Sequence, residues 1–463
     1  MKNNTPITFL QMLILLSPLP FGCVGRIFSP LFYLLLLAFS LYALSRSELQ
    51  VRFLHEKTIR RLFYAFLGFL LLQSIPLPFF LLKILSPGAA RNLTLFKDTA
   101  PSWHPISLVP FETLIFAAEF LVFALFFWVA ANLKFSKKEI FTLLRTLVLS
   151  AVLQSFFGLI KHLSGSRNFF LFFYEIPKND PQAGFLTGTL GNPNHFAFYL
   201  EMILPLVLVL FFLELRFFEP GSSLREKLIS AFDEKSKRIL AYFAAVLLLG
   251  SALVLTGSRA GILTLVLSFM VFAQFSFYLR RSRVVRQKLK LFFIGITAVA
   301  IFFGIQTTAD KFLSTKFENA GRFLRWPATM SMMSDYPVFG TGFGTYRYAY
   351  FLYDRDEGGG WSTHAHNDYL EAGAEGGAAG SLLFFSLIGM MIFSIFKMWT
   401  NRRHPGMKMV GIGIISSIFA AAFHSIFDFS LHIPANVFVF VLVLVLGVQI
   451  AGCESKHRGE VRK

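Results

Sequence analysis

Cysteine and charge are both scarce in this chain of 463 residues. The two cysteines, Cys23 and Cys453, stand near opposite ends of the sequence, which excludes a disulfide framework and a thiolate metal site. Charged residues make up 15% of the chain, compared with about 25% in a typical soluble domain. Hydrophobic residues make up 55%. The composition therefore excludes an ordinary soluble domain and indicates a membrane protein.

Two familiar patterns are also missing from the sequence. It has no internal repeat of the kind that marks many transporters. Gly340, Gly342 and Gly344 alternate like a nucleotide-binding fingerprint, but no strand–helix–strand context surrounds them. This run predicts a tight turn rather than a nucleotide site.

Apolar runs dominate the chain, and a helix needs about 20 such residues to cross a bilayer. The sequence predicts an all-α polytopic membrane protein with about 12 transmembrane helices and one large outward loop, residues 307–376, that carries short surface helices. The first run follows Lys2 as a signal peptide would, but no small-residue cleavage site precedes Cys23, so we expect a retained helix. The predicted spans are Thr8–Val24, Ile27–Ser45, Leu62–Leu85, Leu108–Leu133, Ile140–Leu163, His195–Phe217, Ile239–Leu255, Ala260–Leu279, Leu291–Gln306, Gly377–Trp399, Met409–Phe429 and Pro434–Ala451.

Basic residues orient these helices. With both termini in the cytoplasm, 29 of the 44 lysines and arginines fall on the cytoplasmic side and 13 on the opposite side. Cytoplasmic loops carry such an excess in membrane proteins, so we expect the large loop to face outward. Most of the net charge of +18 follows from this asymmetry, and it requires no nucleic-acid partner.

Two short outward segments carry groups that suit anion binding. Asn194 stands at the start of the sixth predicted helix, where it is a natural N-cap and free N–H groups face outward. Ser258 and Arg259 lie in the turn between the seventh and eighth helices, where a hydroxyl and a guanidinium suit a phosphate. A simple capped helix start and an arginine that reaches lipid headgroups are the alternative interpretations.

The large loop supplies the remaining candidates. Its segment Arg322–Ser334 has apolar spacing that predicts an amphipathic helix on the membrane surface. The loop ends in a polar group directly before an apolar run: His364, His366, Asn367, Asp368, Glu371 and Glu375. Two nearby histidines with carboxylates are one pattern for a metal. Their spacing is not the helical His-x-x-x-His, and no further outward histidine or cysteine cluster completes the set, so we predict no metal.

Ionisable residues inside membrane helices are costly and usually face the bundle interior. Glu119 and Arg145 suit helix pairing, and Glu201 is a further group of this kind. His424 and Asp428 stand at the outer end of a predicted helix. We expect this end to help wall the outward site.

These residues resemble a known family. His366-Asn367, nine residues and then Gly377-Ala378-Ala379-Gly380 are similar to the His-(Asn/Ser/Gln)…Gly-x-x-(Gly/Thr/Tyr) pattern of the O-antigen ligase and polymerase superfamily of bacterial inner-membrane glycosyltransferases. Four further stretches resemble that family: Gly-Thr-x-Gly-Asn-Pro-Asn, Thr-x-Ser-Arg, Gly-Arg-x-x-x-Trp and the glycine run. With Gln73-Ser74-Ile75-Pro76-Leu77-Pro78, the motifs run in family order over nearly the whole chain, from about Gln73 to Asn436.

The resemblance implies transfer of a glycan from undecaprenyl pyrophosphate to an acceptor, with neither a metal nor another cofactor. A glycosyl pyrophosphate carries its own leaving group, so the protein must neutralise the departing charge and deprotonate the acceptor hydroxyl. We therefore assign His366 as the general base and Arg259 and Arg322 as pyrophosphate ligands, in a displacement that inverts the anomeric centre. The supporting candidates are Asn194, Ser258, Arg325, His364, Asn367 and Glu375.

The resemblance also implies a place in the cell and a choice of acceptors. We expect a multi-pass protein of the bacterial inner membrane, in contact with membrane lipids, with a periplasmic active site. Lipid A–core as acceptor defines a ligase, which the full motif favours. A second lipid-linked repeat defines a polymerase, and a pilin hydroxyl a protein O-glycosyltransferase. A transporter or flippase for the same lipid-linked glycan is the alternative of a different class, disfavoured by the missing repeat.

The predicted organisation has three parts. Residues 1–193 hold the first five transmembrane helices and outward loops. Residues 194–452 form the ligase-like core with helices six to twelve and the large loop. Residues 453–463 form a basic cytoplasmic tail with four lysines and arginines.

Overall fold

The computed structural model describes a helical protein. It covers residues 5–46, 49, 57–96, 102–164, 168–169, 174–175, 184–215, 233–279, 295, 321–353, 363–402 and 404–452. The helices in these ranges are α1 Thr5–Leu16, α2 Phe28–Arg46, α3 Lys57–Ser74, α4 Phe79–Leu85, α5 Pro87–Phe96, α6 Pro110–Asn132, α7 Lys137–Leu163, α8 Pro193–Leu215, α9 Glu234–Leu255, α10 Arg259–Leu279, α11 Gly321–Asp335, α12 Tyr346–Tyr350, α13 Asp368–Thr400, α14 Pro405–His424 and α15 Pro434–Gly452. The predicted all-helical class is confirmed.

Eight of the described helices are long and apolar enough to cross a membrane: α2, α6, α7, α8, α9, α10, α13 and α14. Helices α1 and α15 are apolar but shorter. Many large apolar side chains remain at the surface, such as Leu34 and Leu41 of α2, each 61% exposed. Surface leucines in this number suit a lipid environment. The ninth predicted span, Leu291–Gln306, lies outside the described residues.

Proline residues shorten two of the predicted spans. Helix α1 ends at Leu16 rather than at Val24, because Pro18 and Pro20 lack the N–H that would continue it. A short 3₁₀ turn, Phe21–Cys23, follows. Helix α1 is therefore shorter at its C-terminal end than the first predicted span.

The third predicted span, Leu62–Leu85, is wrong as a single helix. Helix α3 ends at Ser74, and α4 begins at Phe79. Pro76 and Pro78 interrupt the backbone bonding between them. Here the chain forms a small antiparallel pair of β1 Leu77–Pro78 and β2 Trp103–His104. A second such pair joins β3 Asn168–Phe169 to β4 Tyr174–Glu175.

Helix α8 is the centre of the bundle. It packs against α7, α9, α10, α14 and α15. Nearly all of its apolar residues are buried in the protein. Because its neighbours cover it on every side, groups on α8 are held at fixed positions relative to α10 and α14.

Helix α13 has a break near its start. Gly377 has φ 59° and ψ −167°, so the first turns, up to Gly376, point differently from the long apolar part. The N–H groups freed by the break donate to the connection between α11 and α12: Ala378 to the carbonyl of Pro337 at 2.8 Å, and Ala379 to that of Val338 at 3.0 Å. The predicted span boundary at Gly377 thus coincides with a real change of helix direction.

Candidate functional site

His366 stands directly before α13 and contacts a carboxylate from a distant part of the chain. Its Nδ1 lies 2.9 Å from Oδ1 of Asp428, which sits between α14 and α15. Asp428 is buried, and its Oδ1 also accepts the N–H of Phe429 at 2.9 Å. A carboxylate at Nδ1 holds the proton on that nitrogen and leaves Nε2 as the basic atom.

The backbone of His366 is held in a conformation that only a few residues adopt readily. Its φ is +50°, in the left-handed region that costs a non-glycine residue roughly 1–3 kcal/mol. Asn367 explains part of this geometry, because its side chain caps α13 and accepts the N–H groups of Tyr369 and Leu370, both at 3.0 Å. Asn367 therefore fixes the chain on one side of His366, while Asp428 holds its ring on the other.

A group of two histidines and two carboxylates lies beside His366. Nδ1 of His364 is 2.7 Å from Oε1 of Glu371, and the same oxygen is 3.2 Å from Nε2 of His432. Nδ1 of His432 is 3.1 Å from Oδ1 of Asp368. Loss of solvent lowers the pKa of His432, but the carboxylates outweigh this effect and raise it to about 10. His432 thus interacts with both carboxylates at once.

His432 corrects the expectation that no further outward histidine completes a metal-binding set. It comes from a 3₁₀ turn, Ser430–His432, between α14 and α15. This turn lies more than 60 residues along the chain from His364, so the local spacing of the motif gave no sign of it. The structure brings His364, Glu371 and His432 together with ligand atoms within 4.8 Å of one another.

Phe429 is the aromatic centre of this region. Its ring stacks on His364 with centroids 4.2 Å apart, and the rings of His366 and His195 meet it nearly at right angles at 4.8 Å. His195 belongs to the first turn of α8, and Asn436 of α15 donates to its carbonyl at 3.2 Å. The start of α8 is therefore at the same end of the bundle as His366.

Asn194 is half-buried in the first turn of α8, one residue before His195. Its predicted role as N-cap is wrong, because the side chain that accepts the free N–H groups is that of Asn192. Oδ1 of Asn192 accepts from the N–H of Asn194 at 2.8 Å and from that of His195 at 3.4 Å. Helix α8 begins at Pro193, which suits the first helical position since it has no N–H.

Ser258 and Arg259 form the start of α10. The Ser258 hydroxyl is buried and accepts the N–H of Gly261 at 3.1 Å, whereas Arg259 is exposed. A Cβ at Gly261 would lie 2.8 Å from that of Ala197 and 3.0 Å from Oε1 of Glu201. The glycine thus permits close contact between α10 and α8.

Glu201 connects this turn with α14. Its Oε1 lies 2.9 Å from Nδ1 of His424, and both side chains are fully buried. His424 is the last residue of α14, four residues before Asp428. The start of α10 therefore lies against Glu201, and Glu201 contacts the end of α14. The chain then continues directly to Asp428, the residue that contacts His366.

Helix α11 contributes Arg325, which is half-buried. Burial raises the pKa of the Tyr346 phenol, and the nearby Arg325 cation opposes this rise. The Tyr346 hydroxyl is 2.7 Å from that of Thr329, and its N–H donates to Glu375 at 2.7 Å. Glu375 is buried, so its contacts tie α12 to α13. The side chain of Arg322 is outside the described residues, although the predicted helix around it is present as α11.

The glycine run forms the tight turn that the sequence predicts. Gly340, Gly342 and Gly344 all have positive φ. The N–H of Gly342 donates to the carbonyl of Glu375 at 2.9 Å, and a Cβ on Gly340 would lie 2.1 Å from the same carbonyl oxygen. Only a turn without side chains can lie this close to α13.

Comparison with protein families gives an independent indication of class. Residues 244–385 match the family described as O-Antigen ligase. This match confirms the resemblance to the O-antigen ligase superfamily and implies a glycosyltransferase-like enzyme. The apolar helices indicate an integral membrane protein. The matched segment contains Arg259, Arg322 and His366, whereas Asp428 and His432 lie beyond it. A search of the curated proteins found no match.

Proposed function

We propose that the protein transfers a glycan from undecaprenyl pyrophosphate to an acceptor hydroxyl at the periplasmic face of the bacterial inner membrane, with lipid A–core as acceptor. The observation that carries the proposal is the contact of 2.9 Å between Nδ1 of His366 and Oδ1 of Asp428. Both termini lie in the cytoplasm in this proposal, so the site opens to the side where lipid-linked glycans are assembled into lipopolysaccharide.

The reaction is a direct displacement. Nε2 of His366 takes the proton of the acceptor hydroxyl as its oxygen attacks the anomeric carbon, and the bond to pyrophosphate breaks with inversion. Asp428 stabilises the imidazolium that forms, which is the usual task of a carboxylate behind a catalytic histidine. Arg259 and Arg322 hold the pyrophosphate and neutralise its increasing charge. Because pyrophosphate is already a good leaving group, this chemistry needs neither a metal nor a nucleotide.

The central test replaces His366 with asparagine, which tolerates the left-handed backbone but is no base. We expect His366→Asn to insert normally and bind the lipid-linked donor, while transfer to the acceptor is lost in a reconstituted assay. His366→Ala should behave in the same way. An active His366→Asn enzyme would remove His366 as the base.

The acceptor is identified by deletion in the native host and a lipopolysaccharide gel. Loss of all long-chain bands with a normal core band supports a ligase. A single added repeat on the core indicates a polymerase instead, and intact lipopolysaccharide with an unglycosylated pilin indicates a protein O-glycosyltransferase. Movement of labelled donor across a vesicle bilayer without any transfer indicates a transporter.

A further inference from the structure

The cluster His364–Glu371–His432 has the donor atoms of a transition-metal site. Its members come from three segments: the loop before α13, α13 itself and the turn between α14 and α15. The three ligand atoms lie within 4.8 Å of one another, and Oε1 of Glu371 is between the two rings, at 2.7 and 3.2 Å. Two imidazole nitrogens and one carboxylate form a common set for Zn²⁺.

The groups behind these ligands are arranged as they are around bound metals. Asp368 contacts the far nitrogen of His432, with Oδ1 at 3.1 Å from Nδ1, so Nε2 is directed toward Glu371. Such carboxylate–histidine pairs orient metal ligands in proteins. The N–H of Ala365 donates to Oε2 of Glu371 at 2.7 Å, which leaves Oε1 for an ion. Stacking on Phe429 fixes the plane of the His364 ring.

The carboxylate of the cluster is buried, whereas its two imidazoles are partly exposed to solvent. Glu371 keeps only 2% of its side-chain surface, whereas His364 keeps 26% and His432 keeps 32%. An ion can therefore reach the cluster from solvent on the side of the two imidazoles. We propose that His364, Glu371 and His432 bind one Zn²⁺ or a similar transition-metal ion, with Asp368 orienting His432.

The ion has a structural task in this proposal and takes no part in glycan transfer. It joins the loop that carries His366 to the turn that follows Asp428. The ion thereby restrains both the candidate general base and the carboxylate that contacts it. Binding removes the protons from both nitrogens that face Glu371: the proton on Nε2 of His432 leaves to solvent, and His364 binds through Nδ1 as the tautomer with its proton on Nε2. Binding of the ion is argued from the cluster alone and does not depend on the proposed function.

The experiment uses the full chain, purified in detergent and freed of metal with a chelator. Zn²⁺ is titrated by calorimetry, and Co²⁺ is added separately because its visible absorption reports tetrahedral nitrogen and oxygen ligands. We expect about one Zn²⁺ per chain. Asp368→Asn should weaken binding by about 10- to 100-fold, and His364→Gln and His432→Gln should weaken it by more.

His162→Gln is the matched control, because His162 is an exposed histidine at the end of α7 and outside the cluster. It should bind Zn²⁺ like the unaltered protein. The proposal is overturned if His364→Gln and His432→Gln retain the unaltered affinity, or if the folded parent chain binds no Zn²⁺. Should a glutamine variant fail to fold, the Co²⁺ spectrum of the parent and its change in Asp368→Asn decide the question.

Discussion

Asp428 determines which nitrogen of His366 is basic in the proposed reaction. An asparagine at this position presents an amide N–H as readily as an oxygen, so it no longer selects the productive tautomer or stabilises the imidazolium. We expect Asp428→Asn to lower kcat by about 10²- to 10⁴-fold with little change in donor binding. Steady-state transfer kinetics in detergent provide the measurement.

The control for this prediction is Glu234→Gln, at an exposed carboxylate whose ion pair with Lys237 spans one helical turn. It should leave kcat unchanged. An Asp428→Asn enzyme with normal kcat would contradict the role given to the carboxylate.

Arg259 and Arg322 are proposed to hold the same pyrophosphate from two different helices. Lysine keeps the charge but loses the forked pair of donors, so Arg259→Lys and Arg322→Lys should raise KM for the donor and lower kcat. Arg355→Lys, in the same predicted loop and outside the described residues, should do much less. Losses in the double variant should be non-additive, because both residues contact one ligand. Kinetics in which all three single variants behave alike would contradict the proposal that Arg259 and Arg322 bind the pyrophosphate.

At the scale of elements, the break in α13 depends on Gly377. A Cβ there would lie 2.5 Å from both the Val338 carbonyl oxygen and the Gly340 N–H nitrogen. The backbone angles are also ones that only glycine adopts readily. We expect Gly377→Ala to destabilise the protein by about 3 kcal/mol or more, seen as a lower thermal unfolding midpoint and poor yield.

Gly389 provides the matched control on the same helix. Among the described residues, no atom lies within 4 Å of a Cβ added there, so Gly389→Ala should be neutral or slightly stabilising. Equal effects of the two substitutions would show that the break does not require glycine.

The contact between α5 and α11 should depend on pH. Arg91 lies 2.6 Å from Asp335, and Tyr353 donates to the other oxygen at 2.6 Å. Partial burial raises the pKa of Asp335, but these bonds outweigh it and hold the pKa below its usual value. A lowered pKa in the folded state means that the stabilisation is complete above the unfolded value, about 3.9, and is lost as the pH falls through the folded value.

Asp335→Asn tests this dependence. The unaltered protein should have the higher unfolding midpoint at pH 6, and the difference should shrink as the pH falls below about 4. Arg91→Gln should also have a lower unfolding midpoint than the unaltered protein at pH 6, and this difference should likewise shrink below about pH 4. A gap between Asp335→Asn and the parent that stays constant down to pH 3 would contradict the assignment.

Composition and apolar run length predict most of the helices, because a span is a local property of the chain. The errors fall where local rules compete. Pro18 and Pro20 end α1 early, and Pro76 divides a run that is apolar enough for one helix. The side of the membrane on which each loop lies rests on charge counting alone and stays a prediction.

The candidate site was only partly predictable for a related reason. The motif around His366 is contiguous, so its residues were found together. Its partners are not: His366 and Asp428 are 62 residues apart, and Glu201 and His424 are 223 apart. No spacing rule pairs such positions. The sequence predicts that Asp428 lies in the wall of the site, whereas the contact of Asp428 with His366 and the place of His432 are visible only in the folded chain.

At the scale of the whole molecule, α8 joins the parts that the sequence separates. Its first turn meets Phe429, and its Glu201 meets His424 and the start of α10. Helices α8, α10 and α14 thus meet at the end of the bundle where His366, inside the matched segment, contacts Asp428, which lies beyond it. A site of this kind depends on the packing of the complete bundle.

The pair Glu201–His424 also sets an order of events during synthesis. Glu201 leaves the ribosome 223 residues before its partner, and at about 5–20 residues per second this interval is roughly ten to forty-five seconds. For that time α8 carries a carboxylate without the histidine that will accompany it. Until α14 arrives, the Glu201 carboxyl has to be neutral, or shielded by the insertion machinery or by α7, α9 and α10.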